Sequence, residues 1–159
     1  MQKIKLYNVH CCGEVGDVVI EINNLNFKSP KEGSIELFKD QYWRNFFLNE
    51  PRGGVFKHCN IIVKPSNPIA DAGFIIMEPA DNPPMSGSNC ICVSTVLLEK
   101  KIIQMNYPLT SLNLEAPGGI IKVIAECEKN KVKSVSLSNL PSFVNEVDFN
   151  LKTKNYGTI

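Results

Sequence analysis

Residues 87–99 read Gly-Ser-Asn-Cys-Ile-Cys-Val-Ser-Thr-Val-Leu-Leu-Glu, and this stretch constrains the fold more than any other. At helical spacing it carries Cys90, Ile91, Cys92, Val93, Val96, Leu97 and Leu98, interrupted only by Ser94, Thr95 and Glu99. A helix that is apolar on nearly all sides has no face to give to water and has to be enclosed. It is also far shorter than the roughly 20 apolar residues that cross a bilayer, so the enclosure must come from the rest of the chain. Ahead of it, Glu78-Pro79-Ala80-Asp81-Asn82-Pro83-Pro84-Met85 is stiffened by proline and has no helical potential. The chain is therefore delivered stiffly into Ser86-Gly87-Ser88-Asn89, the start of an internal helix.

What surrounds the helix reads mostly as β-structure. Strands are expected over 2–10 and 16–25, where Val18, Ile20 and Ile22 alternate with Val19, Glu21 and Asn23. A polar loop through Ser29-Pro30-Lys31-Glu32-Gly33 leads to Ser34 as a helix N-cap. From there Ile35, Phe38, Tyr42 and Phe46, joined by Trp43 and Phe47, predict one amphipathic helix packed by its aromatic stripe. Glu50-Pro51-Arg52-Gly53-Gly54 ends it. Further strands are expected over 55–63, 72–78, 102–106, 111–115, 119–127 and 131–138, with hairpins at Gly118-Gly119 and Lys129-Asn130. Asn139-Leu140-Pro141-Ser142-Phe143-Val144 bends the chain into its last segment. Many short strands with two helices, and no repeat or linker, give a single domain of the α+β class.

Charge and cysteine usage exclude several functions. The chain has 17 Lys+Arg against 16 Asp+Glu, which is not the basic field of a nucleic-acid binder. The start, Met1-Gln2-Lys3-Ile4-Lys5-Leu6-Tyr7-Asn8, turns polar before a signal-peptide core forms, so a soluble cytoplasmic protein without membrane partners is expected. Thiols in that compartment stay reduced. The six cysteines lie at 11, 12, 59, 90, 92 and 127. Neither adjacent Cys11-Cys12 nor Cys90-x-Cys92 has the spacing of a tetrahedral zinc site. All six are read as small buried hydrophobes, with no metal and no cofactor.

The helix start is the chemically informative place. The first N–H groups of a helix lack intrahelical partners and carry partial positive charge. Gly87 and Ser88 have too little bulk to keep a ligand away from them. An anion, most simply a carboxylate, fits such a place. Ser86 would stand at the N-cap with its hydroxyl beside whatever the amides hold. Spacing alone leaves two readings open, a serine cap with nothing bound or an anion site.

Six segments then carry a resemblance. They are His10-Cys11-Cys12-Gly13-Glu14, Glu50-Pro51-Arg52-Gly53-Gly54, Ala70-Asp71-Ala72-Gly73-Phe74-Ile75-Ile76-Met77, Met85-Ser86-Gly87-Ser88-Asn89, Glu115-Ala116-Pro117-Gly118-Gly119 and Asn139-Leu140-Pro141-Ser142-Phe143. In this order, over nearly the whole chain, the sequence resembles the proline racemase, hydroxyproline 2-epimerase and trans-3-hydroxyproline dehydratase family. The resemblance implies one lobe of the diaminopimelate-epimerase-like fold, a curved mixed sheet around a buried central helix. It also implies cofactor-independent chemistry, in which two acid/base residues flank the Cα of a free proline or hydroxyproline. Carried onto this chain, Ser86 takes the first acid/base position, and Gly87, Ser88 and Asn89 bind the substrate carboxylate.

Two departures shape what the resemblance implies. Racemases of the family have Cys where this chain has Ser86, which points toward hydroxyproline epimerases and dehydratases rather than proline racemases. The family's second half, with the second acid/base residue, would follow a segment like Asn155-Tyr156-Gly157-Thr158-Ile159, where this chain stops. Residues 1–159 are thus expected to be an N-terminal lobe without its C-terminal lobe. The expected function is hydroxyproline epimerisation through Cα proton abstraction, incomplete in this chain alone. The alternatives are a trans-3-hydroxy-L-proline dehydratase and a truncated, non-catalytic or partner-dependent binding lobe. Its partners would be the small-molecule substrate and either a second copy in a homodimer or a separately encoded C-terminal half. Other polar residues take plainer roles: His10 a structural hydrogen bond, His58 an ordinary sheet position, Arg52 an ion pair with Glu50 or Asp71. Asp71 and Glu78 lie at opposite ends of one strand and make no acid/base pair.

Overall fold

The computed structural model describes residues 3–144 and 146–158. The strand expected over 2–10 therefore begins one residue outside that range, and the final Ile159 lies outside it too. Strands β1 (Ile4–Tyr7), β2 (His10–Cys11), β3 (Glu14–Ile22), β4 (Lys57–Val63), β5 (Ala72–Met77), β6 (Leu109–Ala116), β7 (Gly119–Glu128) and β8 (Lys131–Ser138) make one mixed sheet. Its order is β1-β3-β4-β5-β6-β7-β8, with β2 beside β3. The pairs β3/β4 and β5/β6 are parallel and the others antiparallel. Two short strands, β9 (Lys152–Thr153) and β10 (Gly157–Thr158), pair separately near the C-terminus.

The long apolar helix is α3 (Gly87–Glu99), as expected, and it lies against one face of this sheet. It packs on β2 and β3 toward one edge and on β8 at the other, so the sheet curls around it. Val18, Phe74, Ile76, Leu112, Leu114, Ile121, Val123 and Ala125 close over it in one core. Strand β7 alternates buried and exposed residues along most of its length, as a strand with one enclosed face should. Inside the helix Ser94 and Thr95 donate their hydroxyls back to Cys90 O (2.7 Å) and Ile91 O (2.8 Å). Their polar groups are thereby satisfied without water.

The opposite sheet face carries a second core of Val19, Ile61, Ile75 and Met77 under helices α1 (Pro30–Lys39) and α2 (Gln41–Leu48). Here the sequence reading needs correction. One helix starting after Ser34 was expected; two are present, and the first begins earlier. Ser29 caps α1 by accepting from Glu32 N (3.1 Å), Glu32 reaches back to Lys28 N (2.6 Å), and Ser34 is buried inside the helix. At Asp40 the chain leaves helical geometry (ψ 94°), and its carboxylate accepts from Tyr42 N (2.9 Å) and Trp43 N (3.4 Å), starting α2. This break rotates the stripe. Ile35, Phe38 and Tyr42 are 51%, 47% and 60% exposed, while Leu37, Trp43, Phe47 and Leu48 are buried.

The strand expected over 102–106 is also absent. Lys101 takes a left-handed conformation (φ 58°), and the N–H groups of Ile102 and Ile103 both return to Leu97 O at 3.0 Å. Those amides finish α3 and are lost to any ladder. Both expected hairpins form, with Ala116 paired to Gly119 and Glu128 to Lys131. Lys129 and Asn130 have φ of 50° and 64°, the pair of left-handed residues a tight two-residue hairpin needs.

Candidate functional site

Alternation on three neighbouring strands builds the site. On β3 as far as Ile20, and on β4 and β5, the even-numbered positions face α3 and the odd-numbered ones face α1 and α2. Gly16 lies opposite His58 and Val18 opposite Asn60, and Asn60 in turn is opposite Ile76. The same face thus carries Glu14, His58, Asn60 and Glu78 to one end of α3, the end where Ser86 begins the helix. Gly16 makes room for the helix. A Cβ there would stand 2.9 Å from Asn89 Oδ1 and 3.0 Å from Cys92 Sγ.

Ser86 occupies the N-cap with extended backbone (φ −147°, ψ 126°), and its carbonyl accepts the first helical bond from Cys90 N (3.0 Å). Its hydroxyl does not cap the helix. Instead Ser86 Oγ accepts from Asn89 Nδ2 at 2.9 Å and lies 3.4 Å from Ser88 Oγ. Ser86, Gly87 and Ser88 are half-buried, and a Cβ at Gly87 would meet no atom within 4 Å. The helix start is therefore open in front and lined by N–H groups without side-chain caps. The approach to it is pinned from two directions. Arg44, itself buried, donates to Glu78 O (2.9 Å), Pro79 O (3.1 Å) and Asn82 Oδ1, while Gly118 N donates to Pro84 O (2.8 Å).

Behind this open front a polar network runs from buried Asn60 and Asn89 through half-buried His58 and Glu78 to exposed Glu14. Asn89 is fully enclosed, and its Oδ1 accepts from Asn60 Nδ2 at 2.7 Å. With no surface exposed, Asn89 does not itself face a ligand, contrary to expectation, and the reachable N–H groups at the helix start are those of Gly87 and Ser88. His58 Nδ1 lies 3.1 Å from Asn89 Nδ2, 3.2 Å from Glu14 Oε1 and 3.5 Å from Glu78 Oε1. His58 is thus no ordinary sheet residue. A sequence signal for it existed: His58 and Asn60 put two polar side chains on the inner face of an otherwise apolar strand.

The other singled-out residues lie elsewhere. His10 is exposed, and its Nδ1 accepts from Gly13 N (3.2 Å), the structural bond expected of it. Arg52 does not pair with Glu50 or Asp71: it donates to Phe46 O (3.0 Å) and lies 4.0 Å over the Phe46 ring. Asp71 instead accepts from Asn113 N (2.7 Å). Cys90 faces the core as expected, and burial pushes its thiol up to about 12. Cys12, by contrast, is exposed, while Cys11 is half-buried and packs against the margin of the α3 core. Among the described residues no group of three or more His, Cys, Asp or Glu is placed to hold a metal ion, and no helix is long and apolar enough to cross a membrane.

The family model described as proline racemase matches residues 6–159. The chain belongs to the proline racemase family. Two solved structures of that kind superpose on this family member closely. One is a hydroxyproline epimerase from Agrobacterium vitis with bound trans-4-hydroxy-L-proline, 36% identical with a TM-score of 0.85 over 98% of this chain. The other is a probable proline racemase from Agrobacterium radiobacter K84 with bound carbonate, 37% identical with a TM-score of 0.85 over 99% of this chain. In both cases the match takes in 47% of the other chain, so this proline racemase family member spans about half the length of those relatives. A methylitaconate-delta-isomerase, 14% identical with a TM-score of 0.55 over 83% of this chain and 37% of its own, shares the fold.

Proposed function

We propose that residues 1–159 form the N-terminal lobe of a cofactor-independent hydroxyproline 2-epimerase, with Ser86 as one of its two acid/base residues. The observation carrying this reading is the start of α3. A hydroxyl not spent on capping stands beside open, uncapped N–H groups, at the position where the family's motif has an acid/base residue. The relative with bound trans-4-hydroxy-L-proline supports the substrate class.

The chemistry follows from the geometry. A substrate carboxylate held by the N–H groups of Gly87 and Ser88 sits at the positive end of the helix. When the Cα–H bond breaks, its electron pair spreads into that carboxylate, and the same donors stabilise the added charge. One residue takes the proton from one face of Cα, and a second returns a proton to the other face. Ser86 serves one face. The other face needs a second group, contributed by a C-terminal half or by Ser86 of a second copy of the chain.

A hydroxyl is a weak base unless another group activates it. The Ser86 chemistry therefore also suits a trans-3-hydroxy-L-proline dehydratase, where loss of the 3-hydroxyl removes the need to reprotonate Cα. The span of about half the relatives' length favours a further reading, a lobe that binds the carboxylate but turns over only with a partner. Cytoplasmic placement fits either reading.

The test is hydrogen exchange at Cα, followed by NMR in D₂O with proline and with the 3- and 4-hydroxyproline isomers. Exchange by the wild-type chain that is abolished in Ser86→Ala supports the assignment, and inversion or water loss then separates epimerase from dehydratase. Exchange that persists in Ser86→Ala removes Ser86 from the chemistry. No exchange with any isomer, alongside a shift of the Gly87 and Ser88 amide signals on adding hydroxyproline, leaves the partner-dependent binding lobe.

A further inference from the structure

We infer that Asn89 is the positioning residue for the Ser86 hydroxyl, held in that role by His58, Glu14, Glu78 and Asn60. The inference rests on reading Ser86 as a reacting group, and it comes from a count of hydrogens. A side-chain amide nitrogen has two hydrogens to donate. Three acceptors lie close to Asn89 Nδ2: Ser86 Oγ at 2.9 Å, Glu78 Oε1 at 3.0 Å and His58 Nδ1 at 3.1 Å. One must be served differently. His58 is the one with the shortest alternative, since its Nδ1 lies 3.2 Å from the Glu14 Oε1 carboxylate oxygen, against 3.4 Å from Ser86 Oγ to Ser88 Oγ and 3.5 Å from Glu78 Oε1 to His58 Nδ1. With a hydrogen on His58 Nδ1 donated to Glu14, both Asn89 hydrogens go to Ser86 and Glu78. The amide cannot be turned over, because its Oδ1 accepts from Asn60 Nδ2, which also points at Gly16 O (3.3 Å) and Asp17 O (3.4 Å). Its orientation is thus fixed from three strands, and with it the direction from which Ser86 Oγ receives a hydrogen bond.

Two consequences follow for Ser86. One lone pair is occupied from inside the protein, so its own O–H and remaining lone pair are left for the open side, where a ligand bound at the helix start lies. A donor aimed at Oγ also favours the deprotonated oxygen, which a bare hydroxyl next to Glu78 would resist. Asn89 touches no substrate through its side chain; it acts through Ser86.

The experiment replaces the hydroxyl by a reporter that titrates. In Ser86→Cys, the pH dependence of iodoacetamide alkylation is read by tandem mass spectrometry that places the label at residue 86 itself, since the buried Cys90 and Cys92 lie on the same peptide. The groups facing this position are Glu78 beyond β5, His58 on β4, Glu14 on β3 and Cys11 on β2. We expect a midpoint below the ordinary thiol value of about 8.5. Adding Asn89→Leu, which removes the donor without adding charge, should raise that midpoint by about one pH unit. Adding Glu78→Gln, which keeps the donor, should not raise it. A midpoint unmoved by Asn89→Leu overturns the inference. Should that variant fail to fold, the side-chain amide signals of Asn89 in the ¹⁵N-labelled chain decide. Ser86→Ala should shift one of the pair and speed its hydrogen exchange, and an unchanged pair overturns the inference. None of these readouts needs turnover, so absent Cα exchange would count against the epimerase reading without touching this one.

Discussion

Gly16 is where a single atom decides whether the site can be assembled. Its Cα is the floor on which Asn89 and Cys92 rest, and a methyl group would press on Asn89 Oδ1 and Cys92 Sγ at 2.9 and 3.0 Å. Gly16→Ala should therefore destabilise the fold by about 1–3 kcal/mol through overpacking. It should also disturb the Asn89–Asn60 contact, visible as shifts in both side-chain amide signals. A chemical-denaturation midpoint equal to wild type would show that α3 yields at no cost. At this scale the sequence disclosed the residues that stand in one continuous motif, Met85 to Asn89, because a helix start is a local event. His58, Asn60, Glu14 and Glu78 reach the same place from three strands far apart in the chain. Their meeting depends on strand order, which no local spacing encodes.

Elements show a similar division. Helix α3 has the bounds read from its composition, since an all-apolar helix leaves little ambiguity about where it begins and ends. One helix is expected after Ser34 because the aromatic spacing fits a single period, whereas Asp40 offers its carboxylate to two backbone N–H groups and separates two helices. Local hydrogen bonding won over periodicity. The far end of α3 is held by a charged contact: Glu99 accepts from Lys131 Nζ (2.8 Å) and Val132 N (3.1 Å) on β8. Burial alone would raise this carboxyl, but the bonds from Lys131 and Val132 outweigh it and hold the group below its ordinary range. A carboxylate depressed in the folded state stabilises above its unfolded value, and that stabilisation is lost as pH falls through the folded one. Glu99→Gln should thus cost about 1–2 kcal/mol near neutrality. In a series of thermal melts the gap between wild type and variant should close as the solution is acidified below the ordinary carboxylate range. A gap that stays constant with pH would mean Glu99 works by shape alone.

For the whole molecule, enclosure is the property that can be measured most directly. Cys59, Cys90, Cys92 and Cys127 are buried, Cys11 is half-buried and Cys12 exposed. Burial pushes the Cys90 and Cys92 thiols up to about 12, far from the thiolate that reacts. A maleimide pulse on the native protein should label Cys12 first and Cys11 more slowly, leaving the other four until denaturant opens the sheet. Labelling of Cys90 at the rate of Cys12 would mean the sheet does not stay closed around the helix. The curvature behind this protection was out of reach of strand-by-strand reading, because it belongs to the ladder that joins edge to edge. It also sets an order of events during synthesis. The groups that fasten the end of α3, Lys131 and Val132, lie 32 and 33 residues beyond Glu99. When the helix leaves the ribosome, the strand that fastens its end is still inside the exit tunnel. Until β8 emerges, the most apolar segment of the chain has only part of its sheet to lie against, and nascent chains caught in that interval are the ones most exposed to chaperones and to one another.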